Sequence, residues 1–75
     1  MFSEKNFGER VRVLREAQNL SQKTLGEVIG VTYGQISDIE RGRRFTTIQN
    51  MVALADYFKV SLDYLVGRSD DPRMR

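Results

Sequence analysis

Serine, threonine and glycine residues divide this chain into short apolar stripes, and this division is the strongest constraint on its fold. Ser21 precedes one stripe that ends at Gly30, and Thr32 precedes a second that ends at Gly42. A hydroxyl side chain accepts hydrogen bonds from the free amides of a first helical turn, and glycine adopts the left-handed conformation that ends a helix. The pattern predicts two short helices joined by a tight glycine turn, with Gln35 completing a capping box at Thr32.

The sequence on both sides continues in the same helical pattern. Apolar residues from Phe7 to Ala17 recur at steps of four, three and three, which predicts an earlier amphipathic helix. Thr46 is expected to cap a longer helix, and Ser61 a final short one. No alternation of polar and apolar residues is long enough for a strand. The sequence predicts an all-α fold, a compact five-helix domain with a helix-turn-helix at about 21–41.

Domain boundaries follow from where this periodicity starts and stops. Residues 1–6 show no sustained pattern and are expected to form a flexible N-terminal arm. Residues 7–66 are expected to form the helix-turn-helix domain, and residues 67–75 a loose C-terminal tail. A chain of 75 residues leaves little for a second domain.

The composition excludes most chemistry. The chain has no cysteine and no histidine, which removes disulfides, thiolate nucleophiles, the commonest general base and the commonest metal ligand. We therefore expect no catalytic residue, no metal, no cofactor and no small-molecule ligand, in a protein that is not an enzyme. No long apolar run or leader pattern is present, so a cytoplasmic location without membrane contact is expected.

The second helix of the predicted pair carries the candidate binding surface. Ile36 and Ile39 are expected to face the core, and at about 100° per residue the opposite face points to solvent. That face bears Tyr33, Gly34, Ser37, Asp38 and Arg41. Arg43 and Arg44 follow, so three positive charges occupy four positions in a chain whose net charge is +2. Such a cluster is often a solvated loop, but this one directly follows the exposed helix, where a nucleic-acid backbone would lie.

With these residues in place, the chain from about Phe7 to Val66 resembles the lambda-repressor/Cro-like helix-turn-helix family, or Xre-type transcriptional regulators. The densest match is Leu-Ser-Gln-Lys-Thr-Leu at 20–25, Ile-Gly-Val-Thr at 29–32 and Ile-Ser-Asp-Ile-Glu-Arg-Gly at 36–42. The resemblance implies a sequence-specific regulator that binds double-stranded operator DNA. It further implies a repressor acting as a homodimer on a (pseudo)palindromic operator, with the helix at 32–41 in the major groove. Activation is equally compatible with these residues.

The resemblance also implies roles for individual residues. The positions that match base-reading residues are Tyr33, Gly34, Ser37 and Asp38. The positions that match the phosphate-contacting loop are Arg41, Arg43 and Arg44. Gln22 matches a residue that contacts the backbone or supports the first reading residue, and Arg15 matches an arginine that pairs with Glu40 in a structural ion pair. Independently, Lys23 and the helix start capped by Ser21 are candidate phosphate contacts, because free amides and the helix dipole attract anions.

The chain departs from the family pattern at several positions. Gly26 stands where alanine is usual, and the proline common after the basic loop is absent. Gly34 offers no side chain at a reading position. Asp38 directs negative charge toward a polyanion, where it would accept from a cytosine amino group or repel wrong sites.

A different class of function is also compatible with the sequence. The alternative is a helical protein-interaction module, such as an antitoxin or a regulator's partner, with secondary DNA binding. Aromatic and apolar residues near the end of the chain favour it. Tyr57, Tyr64 and Val66 are the candidates for a homodimer patch.

Overall fold

A hydroxyl side chain caps the start of each helix in the part of the chain that the structure describes, residues 3–73. In this computed structural model the helices are α1 (Glu4–Ala17), α2 (Gln22–Ile29), α3 (Tyr33–Glu40), α4 (Ile48–Phe58) and α5 (Leu62–Leu65), with no strand among those residues. The N-caps are Ser3, Ser21, Thr32, Thr47 and Ser61. The predicted all-α fold of five helices, with α2 and α3 as the helix-turn-helix, is confirmed.

The caps agree with the sequence pattern at α3 and differ from it at α4. At α3 the predicted capping box is present: Thr32 Oγ1 accepts from the Gln35 amide at 3.1 Å, and Gln35 Oε1 accepts from the Thr32 amide at 2.9 Å. The predicted cap of α4 is wrong by one residue, since Thr47 caps it. Thr46 instead accepts from the side-chain amide of Asn50 at 2.9 Å. Because Thr46 and Thr47 are adjacent, spacing along the chain does not distinguish which of them caps α4.

The predicted N-terminal arm over 1–6 is wrong for the residues that the structure describes. α1 begins at Glu4, because the Ser3 hydroxyl accepts from the Asn6 amide at 3.0 Å. Phe7, which is fully buried, anchors this first turn in the core. The first two residues of the predicted arm lie outside the described range.

Apolar side chains from all five helices form one core. The members with no exposed surface are Phe7, Val11, Leu25, Ile36, Leu54 and Leu65. Each such side chain contributes about 1.5–3 kcal/mol by leaving water. No helix within residues 3–73 is long and apolar enough to cross a membrane.

Two glycines inside helices allow α3 to lie close against its neighbours. A Cβ atom at Gly8 of α1 would overlap the carbonyl group of Ile39, and one at Gly26 of α2 would lie 2.7 Å from the carbonyl oxygen of Val31. Both contacts are with main chain, which cannot move aside as a flexible side chain can. Glycine at position 26 therefore suits this crossing better than alanine would.

The C-terminal segment, predicted as a loose tail over 67–75, folds back on the domain in the part that is described. The Arg10 guanidinium of α1 donates to the Ser69 carbonyl at 2.7 Å. The amide of Ser61, the N-cap of α5, donates to the Pro72 carbonyl at 2.9 Å. The prediction is wrong here because polar groups of α1 and α5, rather than apolar contacts, hold the segment. Its last two residues lie outside the described range.

Candidate nucleic-acid interface

The start of α3 presents a surface to solvent. Ile36 and Ile39 turn into the core, as predicted, while Tyr33 is 60% exposed and Gly34 is open to solvent on its outer side. Asp38 is half-buried, and its carboxylate lies near the C-terminal end of the helix. This surface contains a phenol ring, a stretch of bare main chain and a carboxylate.

The exposure predicted for Ser37 is wrong, because only 9% of this residue is accessible. The prediction located the buried side of α3 from its two isoleucines alone. Glu40 also points inward, and it lies three residues from Ser37 on the same side of the helix. The buried side of α3 therefore extends beyond the two isoleucines toward Ser37. No apolar residue in the sequence indicates this extension.

A polar network beneath α3 brings together Arg15 and Glu40, the residues that the family resemblance pairs. Arg15 Nε donates to Glu40 Oε2 at 2.6 Å, and Arg15 Nη2 donates to Oε1 at 3.0 Å. Arg15 Nη1 donates to the Leu20 carbonyl at 2.7 Å, before α2 begins. The hydrogen bond to Glu40 raises the pKa of Arg15 above its ordinary value, against the opposing effect of burial. Through these hydrogen bonds the planar guanidinium of Arg15 connects α1 to the end of α3 and to the loop before α2.

Gln22 joins this network and sets the position of α2. Its side-chain amide donates to Glu40 Oε1 at 3.0 Å, so the first residue of α2 lies beside the last residue of α3. The two roles that the resemblance implies for Gln22, a backbone contact or support of the first reading residue, stay predictions, since its partner here is Glu40. The contact places the capped start of α2, with exposed Ser21 and Lys23, next to the segment that follows Glu40. Spacing along the chain gives no sign of this contact between the start of α2 and the end of α3.

The basic loop after α3 is exposed at all three of its arginines, Arg41, Arg43 and Arg44. The chain turns at Gly42, whose φ of 75° is in the left-handed region. Arg43 Nη1 lies 3.8 Å from Asp38 Oδ1, a loose ion pair. The negative charge on the exposed side of α3 therefore has a cation beside it, supplied by the loop. Sequence reasoning treated Asp38 and Arg43 separately and missed this pair.

The predicted homodimer patch is largely occupied by contacts within the domain. Val66 is 8% exposed and belongs to the core, so it offers little surface to the predicted homodimer patch. The ring of Tyr57 packs edge-on against Phe58, with 5.2 Å between centroids. The ring of Tyr64 lies under the Arg10 guanidinium at 4.2 Å. Intramolecular partners account for most of the aromatic surface at this end of the chain.

Exposed apolar surface is found instead on α4. Ile48 and Val52 are four residues apart, so they share one side of the helix, and both are exposed. Apolar residues recur at helical spacing along α4, from Ile48 to Phe58. The stripe is wider than the face that α4 buries, and these two side chains form its outer edge.

The fold, the buried network and the exposed α3 define a helix-turn-helix domain. A family model described as Helix-turn-helix, HTH_3, matches residues 11–65, and the chain belongs to this family. The uncharacterized HTH-type transcriptional regulator YobD of Bacillus subtilis (strain 168) is 34% identical over 64 residues, which are 85% of this chain and 57% of YobD. The chain spans 40% to 63% of the length of the first three curated relatives.

Solved structures show the same fold. The c2 repressor of Salmonella phage P22, in complex with a synthetic operator, matches with a TM-score of 0.79 at 33% identity, covering 84% of this chain and 96% of that one. The restriction-modification controller protein C.AhdI from Aeromonas hydrophila matches with a TM-score of 0.74 at 34% identity, covering 83% and 94%. The predicted lambda-repressor-like fold is therefore confirmed.

Proposed function

We propose that this chain is a sequence-specific, double-stranded DNA-binding transcriptional regulator, a repressor that inserts α3 into the major groove of its operator. The observation that carries the proposal is the way α3 is held. Its C-terminal end is fixed from below by Arg15 and Gln22 through Glu40, while its start and the arginine loop beyond it stay open. Recognition requires this combination of a rigid support and an accessible helix start.

Base reading is assigned to the exposed side of α3. Tyr33, Gly34 and Asp38 lie where base edges would approach, and Asp38 is suited to accept from a cytosine amino group. Ser37 stays a predicted reading residue, with little surface for the task. We expect its replacement by alanine to change sequence preference less than replacement of Asp38.

Phosphate binding is assigned to the start of α2 and to the basic loop after α3. The Gln22–Glu40 contact brings the start of α2 next to the end of α3. The residues assigned to phosphate binding are Ser21, Gln22, Lys23, Arg41, Arg43 and Arg44. The start of α2 and the basic loop would thus both contact the DNA backbone beside the groove that α3 enters. Such contacts fix orientation and supply affinity without carrying sequence information.

The related proteins support this class of partner. The P22 c2 repressor was solved with operator DNA, and YobD is described as a transcriptional regulator. For this chain we propose operator DNA as the partner and a homodimer as the binding species, since two symmetric α3 helices would read both halves of a (pseudo)palindrome. We further propose that it acts in the cytoplasm, as a regulator and not as an enzyme.

Fluorescence anisotropy with purified chain tests the proposal. The protein would first select duplexes from a random library at low salt, and the selected duplex would then be titrated against a scrambled one. We expect preference for the selected duplex by at least about 1000-fold, and affinity for both that falls as salt rises. Absence of binding to any duplex at low salt would contradict the proposal.

A second candidate is the protein-interaction module, favoured by exposed Ile48 and Val52 on α4. Light scattering on the same sample separates the two functions. A dimer that binds the selected duplex supports a regulator. Self-association with no DNA binding at low salt supports an interaction module.

A further inference from the structure

Five of the six glycines in this chain have a reason within the fold. Gly30, Gly42 and Gly67 adopt positive φ, and Gly8 and Gly26 face main-chain atoms that a Cβ would meet. Gly34 has neither reason. Its φ is not positive, and apart from the two adjacent residues and the backbone of its own helix, a Cβ built there would have one neighbour within 4 Å, the Thr32 hydroxyl oxygen at 3.9 Å.

Gly34 is therefore an unfavourable choice for the isolated domain. It is the second residue of α3, and glycine destabilises a helix relative to alanine because it has more backbone freedom to lose. A side chain at this position would extend into solvent and disturb no packing. Alanine would suit the isolated fold at least as well, so the fold itself gives no reason for glycine at this position.

The surroundings of Gly34 indicate what approaches it. On the preceding residue the exposed ring of Tyr33 supplies apolar surface, and Asp38 lies one turn further on the same side of the helix. The Asp38 carboxylate has the Arg43 guanidinium beside it at the far end of α3. Gly34 itself contributes its Cα and no hydrogen-bonding side chain. In the major groove, the apolar group that such a surface can recognise is the C5-methyl of thymine.

We propose that Gly34 forms a notch on α3 that admits the C5-methyl group of one operator thymine, where any side chain would hold the DNA away. The inference rests on the proposed DNA-binding function and adds to it a specificity-determining residue and its base. Tyr33 forms one wall of the notch. Recognition at this position arises from the absence of a side chain.

The test compares wild-type protein with Gly34→Ala on the duplex that the wild type selects from a random library. We expect Gly34→Ala to keep its helical circular dichroism spectrum and to have a Tm no lower than that of the wild type. Its affinity for the selected duplex should fall at least tenfold, and its affinity for a scrambled duplex should not change. Val28→Ala, at an exposed position on α2, is the control and should leave both affinities unchanged.

A uracil scan identifies the base. Each thymine of the selected duplex is replaced in turn by uracil, which lacks only the methyl group. For the wild type we expect one position per half-site at which affinity falls three- to tenfold, and for Gly34→Ala no fall at that position.

Three outcomes overturn this inference alone. Equal binding of the selected duplex by Gly34→Ala and wild type would show that nothing approaches the notch. A uniform uracil scan, or a selected duplex without a thymine in the half-site, would exclude the methyl group. In each of these the wild type still binds DNA, so the proposed function stands. A wild-type protein that selects no duplex overturns both.

Discussion

Glu40 and Asp38 lie two residues apart on α3, and each carboxylate faces an arginine, yet the two pairs differ in geometry and in access to water. Glu40 meets Arg15 through two hydrogen bonds of 2.6 Å and 3.0 Å, and the side chains are 3% and 12% exposed. Asp38 meets Arg43 at 3.8 Å, with side chains 41% and 65% exposed. One pair lies on the core side of the helix and the other on the solvent side.

This difference assigns separate tasks to the two sides of α3. Two exposed charges gain about 0–1 kcal/mol from each other, so a DNA phosphate can take Arg43 away from Asp38 at small cost. A buried pair cannot exchange partners in this way, because either charge left alone would be desolvated without compensation. The Arg15–Glu40 pair therefore maintains the position of α3, and the Asp38–Arg43 pair remains available to a ligand.

The largest expected effect comes from breaking the buried pair with Glu40→Gln. The substitution keeps the shape of the side chain and removes the charge, which leaves the largely buried Arg15 guanidinium with only the exposed Glu16 carboxylate, 3.9 Å away, as a counter-ion. We expect a loss of about 3–5 kcal/mol in the free energy of unfolding, measured by urea denaturation followed by circular dichroism.

Glu16→Gln is the matched control for this measurement. Glu16 is an exposed carboxylate 3.9 Å from the same guanidinium, and its loss should cost less than about 1 kcal/mol. If the two variants lost similar stability, the buried pair would not hold α3, and the contrast between the two sides of the helix would fail.

Local sequence signals predicted the helices that carry these two pairs better than the pairs themselves: only the family resemblance paired Arg15 with Glu40, and the Asp38–Arg43 pair was missed. Caps and apolar steps located α2 and α3 within a residue, because Ser21 and Thr32 signal helix starts through local hydrogen bonds. Buried polar groups carry no such local signal. The inward turn of Glu40 depends on an arginine 25 residues away.

The same limit explains the errors at the two ends of the chain. Ser3 caps α1 four residues ahead of Phe7, where the apolar pattern begins. No earlier periodicity indicated a helix start at Ser3. The C-terminal segment is held by Arg10, through a carbonyl 59 residues further along the chain. Contacts of this range follow from how the helices pack, and helical periodicity contains no information about them.

A smaller effect is expected from Arg43→Ala, which removes the cation of the exposed pair. We expect affinity to fall about three- to tenfold on every duplex alike, and the slope of log affinity against log salt to become shallower by about one. Stability should change by less than about 0.5 kcal/mol. Anisotropy titrations at several salt concentrations measure both the affinity and the slope.

Arg68→Ala controls for the loss of an exposed arginine as such. Arg68 lies 3.8 Å from Asp63 in a similarly exposed pair that lies outside the helix-turn-helix, so its removal should leave the salt slope unchanged. A changed sequence preference with an unchanged salt slope for Arg43→Ala would show that this arginine reads a base, and the division between the two sides of α3 would need revision.

The smallest expected effect comes from Asp38→Asn, measured on a scrambled duplex. In the free protein the Asp38 carboxylate competes with phosphate for Arg43, so its neutralisation should raise non-specific affinity about two- to threefold at low salt. The increase should disappear in the double variant Asp38→Asn with Arg43→Ala, because the guanidinium for which carboxylate and phosphate compete is then absent. If the increase persisted, the carboxylate would act by repelling DNA directly, independently of Arg43. If the increase disappeared, the exposed Asp38–Arg43 pair would be shown to lower non-specific affinity for DNA. The buried Arg15–Glu40 pair cannot act in this way, because its geometry is fixed.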